Sequence, residues 1–100
     1  MQGEKPPRQR RESQEVRLKR LSMRSWRRGT REMDLILGPF ADANLAGMTA
    51  GELGLYDQLL CENDQDLYQW VTGQADCPDN LIDSIAKIAE FSAVRSKIGR

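Results

Sequence analysis

Between Met33 and Ala41 the apolar residues Met33, Ile36, Leu37, Phe40 and Ala41 recur at steps of three and four. That spacing puts them on one face of a helix and on no single face of a strand. Pro39 lies inside the run, where a proline removes one backbone donor and crowds the carbonyl four residues back. The apolar phase carries through it, so the pattern predicts one helix, kinked between Leu35 and Pro39. A stripe this dense must be covered by other elements of the same kind.

The rest of the chain supplies them. Residues 14–27 read as a first helix with Val16, Leu18, Leu21 and Met23 as sparse apolar points among arginines, stopped by Gly29. Thr30 is placed to cap the second helix. Thr49-Ala50-Gly51-Glu52 is a capping box that opens a third, burying Leu53, Tyr56, Leu59 and Leu60. Glu62-Asn63-Asp64-Gln65-Asp66 offers caps and negative charge to a short fourth helix with Leu67, Trp70 and Val71 inward, ending at Gly73. Asp79 or Asn80 is expected to cap a fifth, with Leu81, Ile82, Ile85, Ile88 and Ala89 along one side. No segment alternates in the manner of a strand. The expected fold is all-α, a compact five-helix bundle in a single domain over residues 14–95. Residues 1–13, polar and with two prolines, are expected to be a disordered basic tail, and residues 96–100 a flexible C-terminus.

Function classes narrow by subtraction. The chain has 100 residues and no histidine, which removes the commonest general base and metal ligand. Cys61 and Cys77 stand apart without a CxxC unit, so a zinc site is not expected; a disulfide is open, and burial as inert fillers is the commoner fate. No glycine-rich phosphate loop follows a strand. The reading is not an enzyme, and no metal. No apolar run approaches a membrane span, and the N-terminus lacks the apolar segment of a secretory signal. The net charge of zero hides a split. Residues 1–32 hold eleven Lys/Arg against four Glu, and residues 33–100 hold four against eleven Asp/Glu. Such asymmetry fits a basic element meeting an anionic partner, or two halves that neutralise one another.

Arg28-Gly29-Thr30-Arg31-Glu32, followed by Asp34 and Pro39-Phe40, resembles the Arg-Gly-x-x-Glu signature of the small helical assembly factors of succinate dehydrogenase. Leu59-Leu60 through Asp64-Gln65-Asp66-Leu67 and Trp70 resembles the second half of the same pattern, and the likeness spans roughly residues 20–92. The resemblance implies a protein that binds the flavoprotein subunit of succinate dehydrogenase, and of related fumarate reductases, and promotes covalent attachment of FAD to a histidine of that subunit. It implies no stably bound cofactor in the factor itself. It also implies that Arg27, Arg28, Gly29, Arg31, Glu32 and Asp34 form the partner-binding surface.

Physical chemistry suggests how such a corner would work. Gly29 would let a partner backbone approach, and would permit a positive φ in a tight turn. The free amides at the start of the second helix would suit a carboxylate or phosphate, and the arginines would add forked donors. A plainer reading stands beside this. Gly29 is a helix stop, Glu32 is half of a capping box, and Arg28 with Glu32 is an i,i+4 pair contributing ~0.3–0.5 kcal/mol. Asp34 is surface or contact, Phe40 and Trp70 are core, and Trp26 is an exposed contact residue. Two other functions compete: a basic arm that tracks nucleic acid, disfavoured by the acidic remainder, and a regulatory or antitoxin-like interaction module using the same face. The acid-interrupted leader favours a bacterial cytoplasm over a mitochondrial matrix.

Overall fold

Four side chains start four helices. In a computed structural model, which describes residues 12–98, Ser13 Oγ accepts the Val16 amide at 3.1 Å and opens α1, Gln14–Ser25. Thr30 Oγ1 accepts the Met33 amide at 3.2 Å and opens α2, Arg31–Asn44. Thr49 and Glu52 form the reciprocal capping box of α3, Ala50–Leu59. Asn63 Oδ1 accepts the Asp66 amide at 2.8 Å and opens α4, Asp64–Val71. Each satisfies a donor that a helix start would otherwise leave unpaired. The last helix, α5, runs Ile82–Ile98 and has a different entry: Asp79–Leu81 forms a 3-10 turn behind Pro78, with no side-chain cap. Five helices, no strand among the described residues, and one core make the bundle expected from the sequence.

The central element is α2, which packs against α1, α4 and α5. It continues through Pro39 as one helix, as its unbroken apolar phase requires. Met33, Leu37, Phe40 and Ala41 are buried on it, facing Leu21 of α1, Leu53, Tyr56 and Leu59 of α3, Leu67 of α4, and Ile85 and Ile88 of α5. Phe40 stands between two rings, tilted against Tyr56 at 5.8 Å and edge-on to Phe91 at 5.7 Å. Such arrangements are favoured by the ring quadrupoles.

Several boundaries differ from expectation. The first helix stops at Ser25, two residues early, because Trp26 turns away to lie on α2. Glu12 and Ser13, assigned to the tail, belong to the fold: Ser13 caps α1 and Glu12 accepts two bonds from Arg20. Residues 1–11 lie outside the described residues. Leu81, Ile85 and Ile88 are buried as expected, at steps of four and three; Ile82, also expected inside, is 49% exposed because it lies about 100° around the helix from Leu81. Trp70 and Val71 are only partly buried, packed on the core's edge. Cys61 is an exposed free thiol rather than a buried filler, and Cys77 is free and half-buried.

A buried polar pair crosses the bundle. Ser25, fully buried, donates back to the Leu21 carbonyl at 2.8 Å and lies 2.6 Å from the Tyr56 hydroxyl. Burial pushes the Tyr56 hydroxyl up to about 12, although its bond to Ser25 pulls the other way. A pKa raised in the folded state favours the protonated phenol there, so stability is full below the unfolded value near 10 and falls as pH climbs toward 12. The expected loss over that window is about 2–3 kcal/mol. Urea unfolding at pH 9 to 12 checks it: the drop should be largely absent in Tyr56→Phe, and an equal drop in both proteins would refute it.

Candidate functional site

The corner between α1 and α2 is held from inside. As the chain leaves Ser25, the Trp26 indole lies flat on Gly38 of α2, and its Nε1–H points at the Asp42 carboxylate at 3.2–3.3 Å. Arg28 follows and turns inward, its side chain only 9% exposed. Its Nε donates to Asp64 Oδ1 at 2.8 Å, its Nη1 to the Leu60 carbonyl at 2.9 Å, and its Nη2 to the Glu62 carbonyl at 2.9 Å. The guanidinium thereby binds the corner to the turn between α3 and α4 and satisfies carbonyls at the end of α3.

Asp64 completes the clamp. Besides Arg28, its carboxylate accepts the backbone amides of Gly29 and of Thr30, the latter at 3.0 Å. From the other side, Asp34 Oδ1 accepts the Arg28 amide at 2.6 Å. The anion-binding character expected of this helix start is real, but it is used internally: Asp64 and the Thr30 hydroxyl occupy the amides of Gly29, Thr30 and Met33.

The sequence-derived site residues therefore divide into two groups. Arg28 and Asp34 turn toward the protein, and Gly29, itself exposed, gives its amide to Asp64. Arg28 does not pair with Glu32, because it lies before the helix rather than one turn along it. Gly29 does not adopt a positive φ; among the described glycines only Gly73 does, at 79°. What Gly29 provides is room, since a Cβ there would sit 3.1 Å from Asp64 Oδ2. Arg27, Arg31 and Glu32 are exposed. Glu32 closes no capping box, since the third helical position after Thr30 is Met33. Its carboxylate lines an open groove of about 430 Å³ with Thr30, Gln65, Tyr68, Gln69 and Gln74. Asp64 and Gly38 were missed as members of the corner. Asp64 reads as ordinary N-terminal helix charge, and Gly38 carries no signal until Trp26 is placed on it. Trp26 is exposed as expected, at 41%, and also forms a wall of the corner through Gly38 and Asp42.

Among the described residues no group of His, Cys, Asp and Glu could hold a metal, and no helix is long and apolar enough to cross a membrane. Fold and corner together define a small all-α protein whose distinctive surface is a clamped turn presenting two arginines and a carboxylate.

Residues 19–92 match the family model described as flavinator of succinate dehydrogenase, and the chain belongs to that family. It is 39% identical over 87 residues to the mitochondrial succinate dehydrogenase assembly factor 2 of Komagataella phaffii, covering 82% of this chain and 46% of that one. Against the protein of the same description in Dictyostelium discoideum it is 31% identical over 81 residues, covering 81% and 57%. Against that of Aspergillus terreus it is 48% identical over 56 residues, covering 56% and 19%. The chain thus spans less than two thirds of the length of these relatives. They are mitochondrial by name, and the preference for a bacterial cytoplasm gains no support from them.

Proposed function

We propose that this protein is a non-catalytic assembly factor that docks on the flavoprotein subunit of succinate dehydrogenase through the α1–α2 corner and promotes covalent attachment of FAD to that subunit. By the same reading it serves related fumarate reductases. The protein holds no cofactor of its own; the flavin and its acceptor histidine belong to the partner. Family membership supports the partner, and the division of labour in the corner supports the mode. Arg28, Gly29, Asp34 and Asp64 spend their bonds on each other, which fixes the backbone from which Arg27, Arg31 and Glu32 project.

The observation that carries this reading is Glu32. It is an exposed carboxylate at a helix start that takes no part in the cap, fixed beside a groove rich in amide side chains. Such a group accepts hydrogen bonds from a partner's backbone or orders a flexible partner segment before the flavin bond forms. The test is covalent flavin fluorescence of the denatured subunit, expressed in cells lacking the factor and complemented with wild type or Glu32→Ala. Wild type should restore the signal. Glu32→Ala should lower it at least about tenfold, the equivalent of ~1.4 kcal/mol at a contact. Its unfolding free energy should stay within about 0.5 kcal/mol of wild type. Fluorescence independent of the wild-type protein would overturn the function; a fully active Glu32→Ala would overturn the role of the carboxylate.

A further inference from the structure

Among the described residues no element covers the outer face of α1. Val16 and Met23, one heptad apart and so on the same face about 10.5 Å from each other, are 55% and 47% exposed. With Lys19, Arg20, Arg24 and Arg27 they line an open groove of about 450 Å³ that runs into the corner at Arg28. Isolated apolar residues on a surface need no explanation, but two in register on one stripe, framed by four cations, form a pattern.

The charge on this face is only partly met from within. Arg20 bonds Glu12 and Asp57, and Arg24 bonds Asp57 at 2.7 Å. Burial pushes the Asp57 carboxyl up, but the two guanidiniums outweigh it and hold it below the usual range. Lys19 and Arg27 have no ion-pair partner among the described residues. Residues 1–11 carry Lys5, Arg8, Arg10 and Arg11 against Glu4 alone, so their net charge has the same sign as the groove. What complements the groove is a segment with the opposite pattern: apolar residues one heptad apart, flanked by Asp or Glu.

We propose that the α1 groove docks an acidic amphipathic helix of the flavoprotein subunit, a second contact continuous with the corner. The inference rests on the function proposed above and deepens it by naming a further surface and the chemistry it takes. Burial of the Val16–Met23 stripe would supply affinity, while Lys19 and Arg27 would steer encounter and fix register. An anionic lipid surface would offer the same charge without fixed register, and the vesicle measurement below separates the two.

The test measures affinity for the purified apo flavoprotein subunit by calorimetry at 50 and 300 mM salt. The proteins compared are wild type, Glu32→Ala, Val16→Glu/Met23→Glu and Lys19→Glu, all checked for fold by circular dichroism. The groove variants should bind at least about tenfold more weakly, with the Lys19→Glu deficit shrinking at the higher salt. A photo-crosslinking residue at Met23 should attach to an Asp/Glu-rich helical segment of the subunit. If wild type and Glu32→Ala differ but the groove variants bind like wild type, the corner stands and the groove inference falls. If wild type does not bind, both fall. Loss of binding to anionic vesicles, with flavoprotein affinity unchanged, would assign the groove to a membrane and overturn the proposal, as would a crosslink to a segment without acids.

Discussion

Asp64→Ala is expected to cost about 3–5 kcal/mol of folding stability, the range for removing one partner of a buried ion pair. The side chains of Arg28 and Asp64 are 9% and 10% exposed, so the guanidinium left behind could not recover water in place of its lost carboxylate. The amides of Gly29 and Thr30 would lose their acceptor in the same step. For a 100-residue domain with 5–15 kcal/mol in total, that loss removes a large share. Urea unfolding should show it. Because the pair is shielded from solvent, the loss should change little between 0.1 and 0.5 M salt. Arg28→Ala should cost a similar amount. The double variant should cost far less than the sum, with a coupling of about 2–3 kcal/mol. Additive losses would mean that the two groups act independently and that the clamp is not the unit described here. The flavinylation readout separates this defect from that of Glu32→Ala. Asp64→Ala should regain covalent flavin at low temperature, where the folded fraction rises, whereas Glu32→Ala, fully folded throughout, should not.

The two variants also mark where the sequence was readable. Patterns within one helical turn could be read directly: Thr30 as a cap, the Thr49–Glu52 box, the caps before α4, and the apolar stripe through Pro39. Each depends on residues three or four apart, and the structure realises each. The clamp was not readable, because Arg28 and Asp64 are 36 residues apart and each has a plausible local explanation, a helix-surface arginine and a helix-start acid. That local plausibility also suggested an Arg28–Glu32 pair. The suggestion failed because α2 begins only at Arg31, which leaves Arg28 outside the helix geometry it needs. Ser25 was invisible for another reason. A serine in a helix ordinarily faces water or bonds the carbonyl four residues back, and only the arrival of Tyr56 from α3 makes it a buried partner. Ile82 failed through phase: Leu81, Ile85 and Ile88 form the buried stripe at steps of four and three, and Ile82 sits one residue, about 100°, off it.

Gly38→Ala is the second large expected effect, and its sign differs from the usual rule. Alanine in place of glycine inside a helix ordinarily stabilises by about 1 kcal/mol, through propensity and the entropy of the unfolded chain. At Gly38 the new Cβ would fall 2.3 Å from Cδ2 of the Trp26 indole, with Cε2 and Cε3 at 2.5 and 2.6 Å. These are atoms of a rigid fused ring, so no rotation of a flexible chain end relieves the overlap. The indole must leave α2. It then gives up its hydrogen bond to Asp42 and its packing on Gly38. Overpacking of this kind costs about 1–3 kcal/mol, which meets or exceeds the propensity gain. The net expectation is a loss of about 0–2 kcal/mol in place of the usual gain, with Trp26 emission shifted to longer wavelength as the ring enters water. Trp26→Ala should reverse the sign of the substitution, because with the ring gone Gly38→Ala retains only its helical advantage. Since Trp26 leads directly into Arg27 and Arg28, displacing it should also loosen the corner. Gly38→Ala should therefore weaken flavoprotein binding although residue 38 itself is buried. A stabilised Gly38→Ala with unshifted emission would show that the indole does not rest on this glycine in solution, and would leave the corner without its outer wall.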